Sequence, residues 1–292
     1  MKKASPDMTQ IVACIDHSEV AGAVSDAGAW ISQRVERPLV LLHVLDRSAY
    51  PIPSDLSGNI GLGARTQLLE ELASLDAERN RMALEQGLLQ LNEARQRAQA
   101  LGVRDVRLLQ RHGHFVDTLA SMQEETRILV MGRKGEDNAD SLRSIGSNLE
   151  SVIRTLSCRI LVTPATFKPP ESVLLAYDAS PTAKQVLYIL ARSPLCRGLP
   201  FHLVMVADDE AKNRALLAEA EQELRAHGHE QVIATLLQGP IEETLLNHIE
   251  QEQIGLLIMG AYGHSRIRQF LVGSTTSRLL RQSPVPILLL RQ

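Results

Sequence analysis

Along this chain, short apolar runs alternate with longer stretches in which apolar residues recur every three or four positions. The runs fall at 11–15, 39–45, 106–110, 127–131 and 160–163, and again at 173–177, 201–206, 232–237, 254–259 and 286–290. They are rich in Val, Ile and Leu and show little polar alternation. That is the signature of strands buried on both faces of a parallel sheet rather than strands with one wet side. The stretches between them have helical periodicity, so the order is strand, helix, strand throughout. Such alternation predicts βαβ units with helices on both faces of each sheet.

The pattern also repeats. IVACIDHS at 11–18 has its match in VLLAYDAS at 173–180, and PLVLLHVLD (Pro38–Asp46) in PFHLVMVAD (Pro200–Asp208). Gly102 and Gly113 correspond to Gly228 and Gly239. ILVMGRKG at 128–135 matches LLIMGAYG at 256–263, and GSNLESVIRTLSCRILV at 146–162 matches GSTTSRLLRQSPVPILL at 273–289 without a gap. The blocks keep the same order, so the chain is a tandem duplication. It divides into 1–163, a proline-bearing linker at 164–172, and 173–292. The predicted architecture is α/β: two Rossmann-like, open, parallel five-stranded sheets with helices on both faces.

The halves differ by an insert at about 47–90 in the first. A Pro/Gly/Ser-rich segment, Pro51 to Gly63, reads as a candidate flap. Behind it Leu68, Leu69, Leu72, Leu75, Met82, Leu88 and Leu91 recur at helical intervals, which predicts a long helix packed on the sheet with Gly87 as a point of interruption.

Composition narrows the function classes. With 44% hydrophobic and 22% charged residues the chain is able to bury real cores. A net charge of −3 without a basic block argues against nucleic-acid binding, and 3% aromatic residues give no stacking platform. MKKASPDMTQ lacks an apolar leader core, and no run approaches the length of a membrane span. Cys14, Cys158 and Cys196 are odd in number and have no zinc spacing. The expectation is a cytoplasmic protein with reduced thiols and no membrane or nucleic-acid partner.

The most informative stretch is Ile254–Leu290. An apolar strand leads into Gly260, two residues, Gly263, nine residues, then Gly273-Ser274-Thr275 and a helix. Glycines let backbone amides approach an anion, and a helix N-terminus offers unpaired N–H groups. The spacing is neither a Walker loop nor the dinucleotide fingerprint. On spacing alone these glycines could equally be turn residues. Ligands of open parallel sheets sit beyond the carboxyl ends of the strands where the order reverses. In the second half that places Asp178, Val206 and Met259-Gly260 at the site. Asp178 and Ser180 could also serve as caps of the following helix.

Gly260-x2-Gly263-x9-Gly273-Ser274-Thr275, with Ser283-Pro284-Val285-Pro286 and a terminal apolar strand, resembles the ATP-binding class of the universal stress protein (UspA-like) family. The resemblance covers nearly the whole chain apart from the insert. It implies that Ala176, Asp178 and Val206 form an adenosine pocket, and that Gly260, Gly263, Gly273, Ser274 and Thr275 hold ribose and phosphates. The ligand implied is ATP, or ADP or AMP, with Mg2+. Arg266 and Arg268, in the loop between the glycines, are secondary candidates for phosphate contact. In the first half, ten residues rather than nine separate Gly135 from Gly146, and Glu136, Asp137 and Asp140 sit between them, partly opposed by Lys134. Weaker or absent ATP binding is expected there.

No Ser-His-Asp order, HExxH or paired-carboxylate context is present, and the His-Gly-His pieces at 112–114 and 227–229 lack a nearby third ligand. The leading reading is a nucleotide-responsive regulator of stress tolerance, its two halves paired within the chain and the whole a homodimer. Pro286–Leu290 is a plausible edge for such pairing. Two alternatives stay open: a weak ATPase or phosphoryl-transfer enzyme, and a scaffold or apolar-ligand carrier built on the leucine-rich insert.

Overall fold

Buried apolar runs become strands because a parallel ladder satisfies their backbone while helices cover both faces. In the computed structural model, which describes residues 10–45, 62–135, 146–260 and 274–290, the first half contains β1 (Gln10–Cys14), α1 (Ala21–Val35), β2 (Leu39–Leu45), α2 (Leu62–Ala100), β3 (Val106–His112), α3 (Phe115–Met122), β4 (Thr126–Gly132), α4 (Ser147–Thr155) and β5 (Arg159–Thr163). The second half contains β6 (Val173–Ala176), α5 (Pro181–Ala191), β7 (Phe201–Val206), α6 (Ala211–Ala226), β8 (Val232–Leu237), α7 (Ile241–Gln251), β9 (Leu256–Gly260), α8 (Ser274–Gln282) and β10 (Ile287–Leu290). The expected strands are all present, with ends shifted by a residue or two.

The two expected sheets are in fact one. The strand order is β3-β2-β1-β4-β5-β10-β9-β6-β7-β8, ten strands in a single sheet. Within each half the pairing is parallel, and the halves meet where β10 runs antiparallel to β5. At this seam Ile287 faces Val162, Leu288 faces Leu161 and Leu289 faces Ile160. Apolar cross-strand pairs of this kind stabilise a ladder, and the seam removes what would otherwise be two exposed edges.

Alternate residues feed opposite faces. Ile11 and Ala13 of β1 enter one core with α1, α2, α5 and α6, while Val12 and Cys14 enter the other with α3, α4, α7 and α8. Each core draws residues from both halves, so the seam is a packed continuation and not a hinge. Arginines add to it. Arg133, next to the first-half Gly132, donates from Nη1 to the Arg281 carbonyl at 3.1 Å and from Nη2 to the Ser283 carbonyl, closing the C-terminal end of α8. Arg34 of α1 reaches the carbonyls of Leu195 and Arg197 in the other half.

The duplication extends to backbone conformation. Gly113 and Gly239 have φ of 138° and 128°, and Gly102 and Gly228 have 95° and 88°. These are left-handed values that side chains with a Cβ resist, which accounts for glycine at both positions of each repeat pair.

The insert differs from expectation at two points. Of the apolar stripe, Leu91 is fully buried and joins the core with Ala94 and Ala98, whereas Leu75, Met82 and Leu88 are exposed, so the packed part of the helix is its C-terminal portion. α2 runs unbroken through Gly87, because the glycine serves packing: a Cβ there would lie 2.4 Å from both Gln110 Nε2 and His43 Cδ2. Of the expected flap, residues 51–61 lie outside the described residues, and Leu62 and Gly63 already belong to α2.

Candidate functional site

The cavity that bears on function opens at the carboxyl ends of β6, β7 and β9, where the chain leaves β6 in one direction along the sheet and returns on the other side of it. Its volume is about 420 Å³, within the range of small-molecule sites. Seven residues singled out from the sequence line it together: Ala176, Asp178, Val206, Met259, Gly260, Ser274 and Thr275. Gly263 and Gly273, with Arg266 and Arg268, lie outside the described residues.

Strand register explains the convergence. Ala176 is paired with Val204 on one side and Met259 on the other, and Gly260 is the next residue of β9. Past Ala176 the chain turns sharply. Ala179 takes a left-handed φ of 56°, and Asp178 Oδ1 accepts a hydrogen bond from the Ser180 amide at 3.0 Å. Ser180 then caps α5, its Oγ accepting from the Ala183 amide at 3.1 Å, with Pro181 in the first turn. The capping role therefore falls to Ser180, and the turn holds the Asp178 carboxylate exposed at the cavity rim.

The floor and walls are apolar, built by Val204, Val206, Leu245, Met259 and Leu279. Polar groups gather at one side, where the first turn of α8 presents Ser274, Thr275 and Thr276. Thr275 Oγ1 donates to Glu242 Oε1 at 3.1 Å, tying α8 to the first turn of α7. Tyr177 is buried beside the cavity. Burial pushes its phenol up to about 12, with smaller contributions from the carboxylates of Glu219 and Asp178, so it stays neutral at physiological pH.

Tyr177, Thr182, Ile241, Glu242, Leu245 and Leu279 were not singled out from the sequence. The Gly239-Pro240 turn after β8 was the available signal, because it delivers the start of α7 to the same end of the sheet. Gly260 also needs a revised reading. A Cβ on it would lie 2.9 Å from Thr182 Cγ2, and a Cβ on Gly132 would lie 2.9 Å from Val20 Cγ1. Strand-to-helix packing thus demands glycine in both halves, independently of any ligand.

At the matching place in the first half, Cys14 stands where the second has Ala176. It is buried, and burial pushes its thiol well up, with Asp16 adding to the effect. Asp16 makes the same turn as Asp178, its Oδ1 accepting from the Ser18 amide at 3.1 Å. Glu136, Asp137 and Asp140 lie outside the described residues. In the second His-Gly-His piece, His227 Nδ1 lies 2.9 Å from the Glu223 carbonyl and His229 packs edge-on against Phe201 at 5.3 Å. Among the described residues no three His, Cys, Asp or Glu side chains group as metal ligands, and no helix is long and apolar enough to cross a membrane.

Fold and site together define a duplicated open α/β protein with a ligand-sized cavity at the switch point of its second half. The model of the universal stress protein family matches residues 8–164 and again residues 170–291, and the chain belongs to that family, with two copies of its domain. Over 288 residues it is 33% identical to universal stress protein Slr1230 of Synechocystis, covering 97% of this chain and 100% of that one. The crystal structure of a universal stress protein from Archaeoglobus fulgidus is similar with a TM-score of 0.68 at 20% identity, over 97% of this chain and 98% of that one. A functionally unknown protein from Pseudomonas aeruginosa gives 0.60 at 15% identity, over 97% and 92%. At these identities the solved structures establish a shared fold.

Proposed function

We propose that the second half binds an adenine nucleotide, ATP with Mg2+ in particular, and that the protein acts as a nucleotide-responsive regulator of stress tolerance. The observation that carries this reading is the cavity: an apolar slot flanked on one side by the exposed Asp178 and on the other by the first turn of α8. The slot suits a flat, weakly polar base. Asp178 suits the hydroxyls of a ribose, since a carboxylate accepts from both. The amides of α8 and the hydroxyl of Ser274 suit a phosphate, which the helix dipole favours at that end.

Regulation requires that ligand binding favour one conformation over another. α8 offers a route, because its first turn lines the cavity while its last carbonyls are held by Arg133 of the first half. A ligand that draws on one end of this nine-residue helix acts on the seam at the other. The first half serves as the fixed partner in this reading, with Arg133 committed to the seam and Cys14 in place of Ala176.

A thermal-unfolding titration tests the binding claim. ATP with Mg2+ should raise the midpoint in a concentration-dependent way, by the equivalent of about 2.7 kcal/mol at a hundred times Kd. Val206→Trp, which fills the slot from a half-buried strand end, should remove the shift while leaving the ligand-free midpoint close to wild type. No shift at millimolar nucleotide, or a shift that survives Val206→Trp, would refute the assignment.

A further inference from the structure

We infer that Glu242 sets the charge preference of the second-half cavity: it disfavours a polyphosphate without a divalent cation relative to a ligand carrying a single phosphate. This rests on the reading that the cavity takes a phosphate-bearing nucleotide.

The starting point is the hydrogen bond from Thr275 Oγ1 to Glu242 Oε1, 3.1 Å long and partly buried. A threonine hydroxyl has one proton, and here it is directed at the carboxylate. Toward a phosphate oxygen, Thr275 then presents only lone pairs, so the hydroxyl is not a free donor at the mouth of α8. The carboxylate is also a negative charge beside the start of α8, one of the helix starts lining the cavity, since Ile241, its neighbour in α7, and Thr275 in α8 both line it. It offsets the favourable dipole of that helix end and repels each phosphate charge brought close.

The first half packs the equivalent pair of helices without this contact. By the repeat register that matches Gly239 with Gly113, Glu242 corresponds to Val116, and by the register of the final block, Thr275 corresponds to Asn148. α3 packs on α4 just as α7 packs on α8, and Val116 does so as a half-buried apolar residue. Thr244 and Leu245, by contrast, are identical to their counterparts Thr118 and Leu119. The scaffold positions are shared, and the carboxylate–hydroxyl pair belongs to the second half.

Two consequences follow for ligands. AMP, with its charge nearest the ribose and fewest charges overall, meets the least repulsion. ATP brings further negative oxygens toward Glu242, and a divalent cation held jointly by those oxygens and the carboxylate converts repulsion into attraction.

The experiment is calorimetric titration of AMP, ADP and ATP, each with and without Mg2+, into the full chain and into Glu242→Gln. Glutamine keeps an acceptor for Thr275, so the ligand-free unfolding midpoint should stay close to wild type. Glu242→Gln should tighten Mg2+-free ATP roughly tenfold, the factor expected from removing one nearby charge at a solvated rim. AMP should change by less than about threefold on the same scale. The gain in ATP affinity on adding Mg2+ should shrink in the variant. Equal changes for AMP and ATP, or an unchanged Mg2+ dependence, would overturn the role given to Glu242 while leaving nucleotide binding intact. Failure of all three nucleotides to bind either protein would overturn the nucleotide reading itself, and this inference with it.

Discussion

Gly87→Ala should destabilise the protein even though it strengthens the helix in which it lies. In a helix interior, alanine is favoured over glycine by about 1 kcal/mol. Against that stands the contact between α2 and the sheet. The new methyl carbon would lie 2.4 Å from Gln110 Nε2, 2.4 Å from His43 Cδ2 and 2.7 Å from His43 Nε2, all well inside van der Waals contact. Neither neighbour moves freely. His43 is buried and its Nδ1 sits 2.9 Å from the Ile15 carbonyl, while Gln110 Nε2 donates to the Leu84 carbonyl at 3.2 Å. Overpacking a close-packed site costs about 1–3 kcal/mol, and contacts this short belong at the upper end. The net expectation is a loss of about 1–2 kcal/mol, which lowers the thermal midpoint by roughly 2–6 °C in a protein of this size. Urea unfolding measures it directly: the midpoint should fall with an unchanged slope. A midpoint that stays or rises would show that α2 does not approach β2 and β3 as described.

Arg133→Ala should cost about 2–3 kcal/mol, because it leaves two carbonyls at the end of α8 without their charged donor. Arg133→Lys should recover little of this, since an ammonium cannot span both acceptors as a guanidinium does; full rescue in urea unfolding would refute the bidentate role. Stability should also fall with acid. Burial holds the imidazoles of His202, His229 and His248 below their ordinary range. The unfolded chain therefore binds more protons as pH drops through about 6.5. Stability should be level above about pH 7.5 and decline toward pH 5.5, by at most about 1.4 kcal/mol per pH unit for each histidine; a rise over that window would contradict the burial of these groups.

Strand positions and the duplication were legible because parallel strands buried on both faces leave continuous apolar runs, and because the two halves preserve them in order. The antiparallel seam was only half legible. Ile287–Leu289 and Ile160–Val162 read as apolar strands, but nothing local to either says which edge it will meet. Seven of the proposed site residues could be read from strand ends and the terminal helix. Leu245 and Leu279 could not, because they approach the cavity from helices whose apolar positions look the same whether they face a core or a ligand, and Glu242 reads in sequence as an ordinary acidic residue of a first helical turn. Gly260 shows the opposite problem. Its glycine is required by Thr182, so a residue that looks like phosphate chemistry in sequence is already explained by packing in the structure. Gly87 was read as an interruption for a related reason, since sequence alone does not reveal a close approach from outside the helix.

This weakness of glycine as evidence makes the paired aspartates the sharper probe. Asp16 and Asp178 occupy equivalent positions and make the same turn with Ser18 and Ser180, so replacing either with alanine should cost similar stability. Calorimetric titration of ATP with Mg2+ into the wild type, Asp16→Ala and Asp178→Ala therefore separates ligand contact from scaffold. The expected result is one site per chain, retained in Asp16→Ala and lost or weakened at least tenfold in Asp178→Ala, about 1.4 kcal/mol or more. Two sites per chain, or equal loss in both variants, would contradict a single nucleotide pocket in the second half.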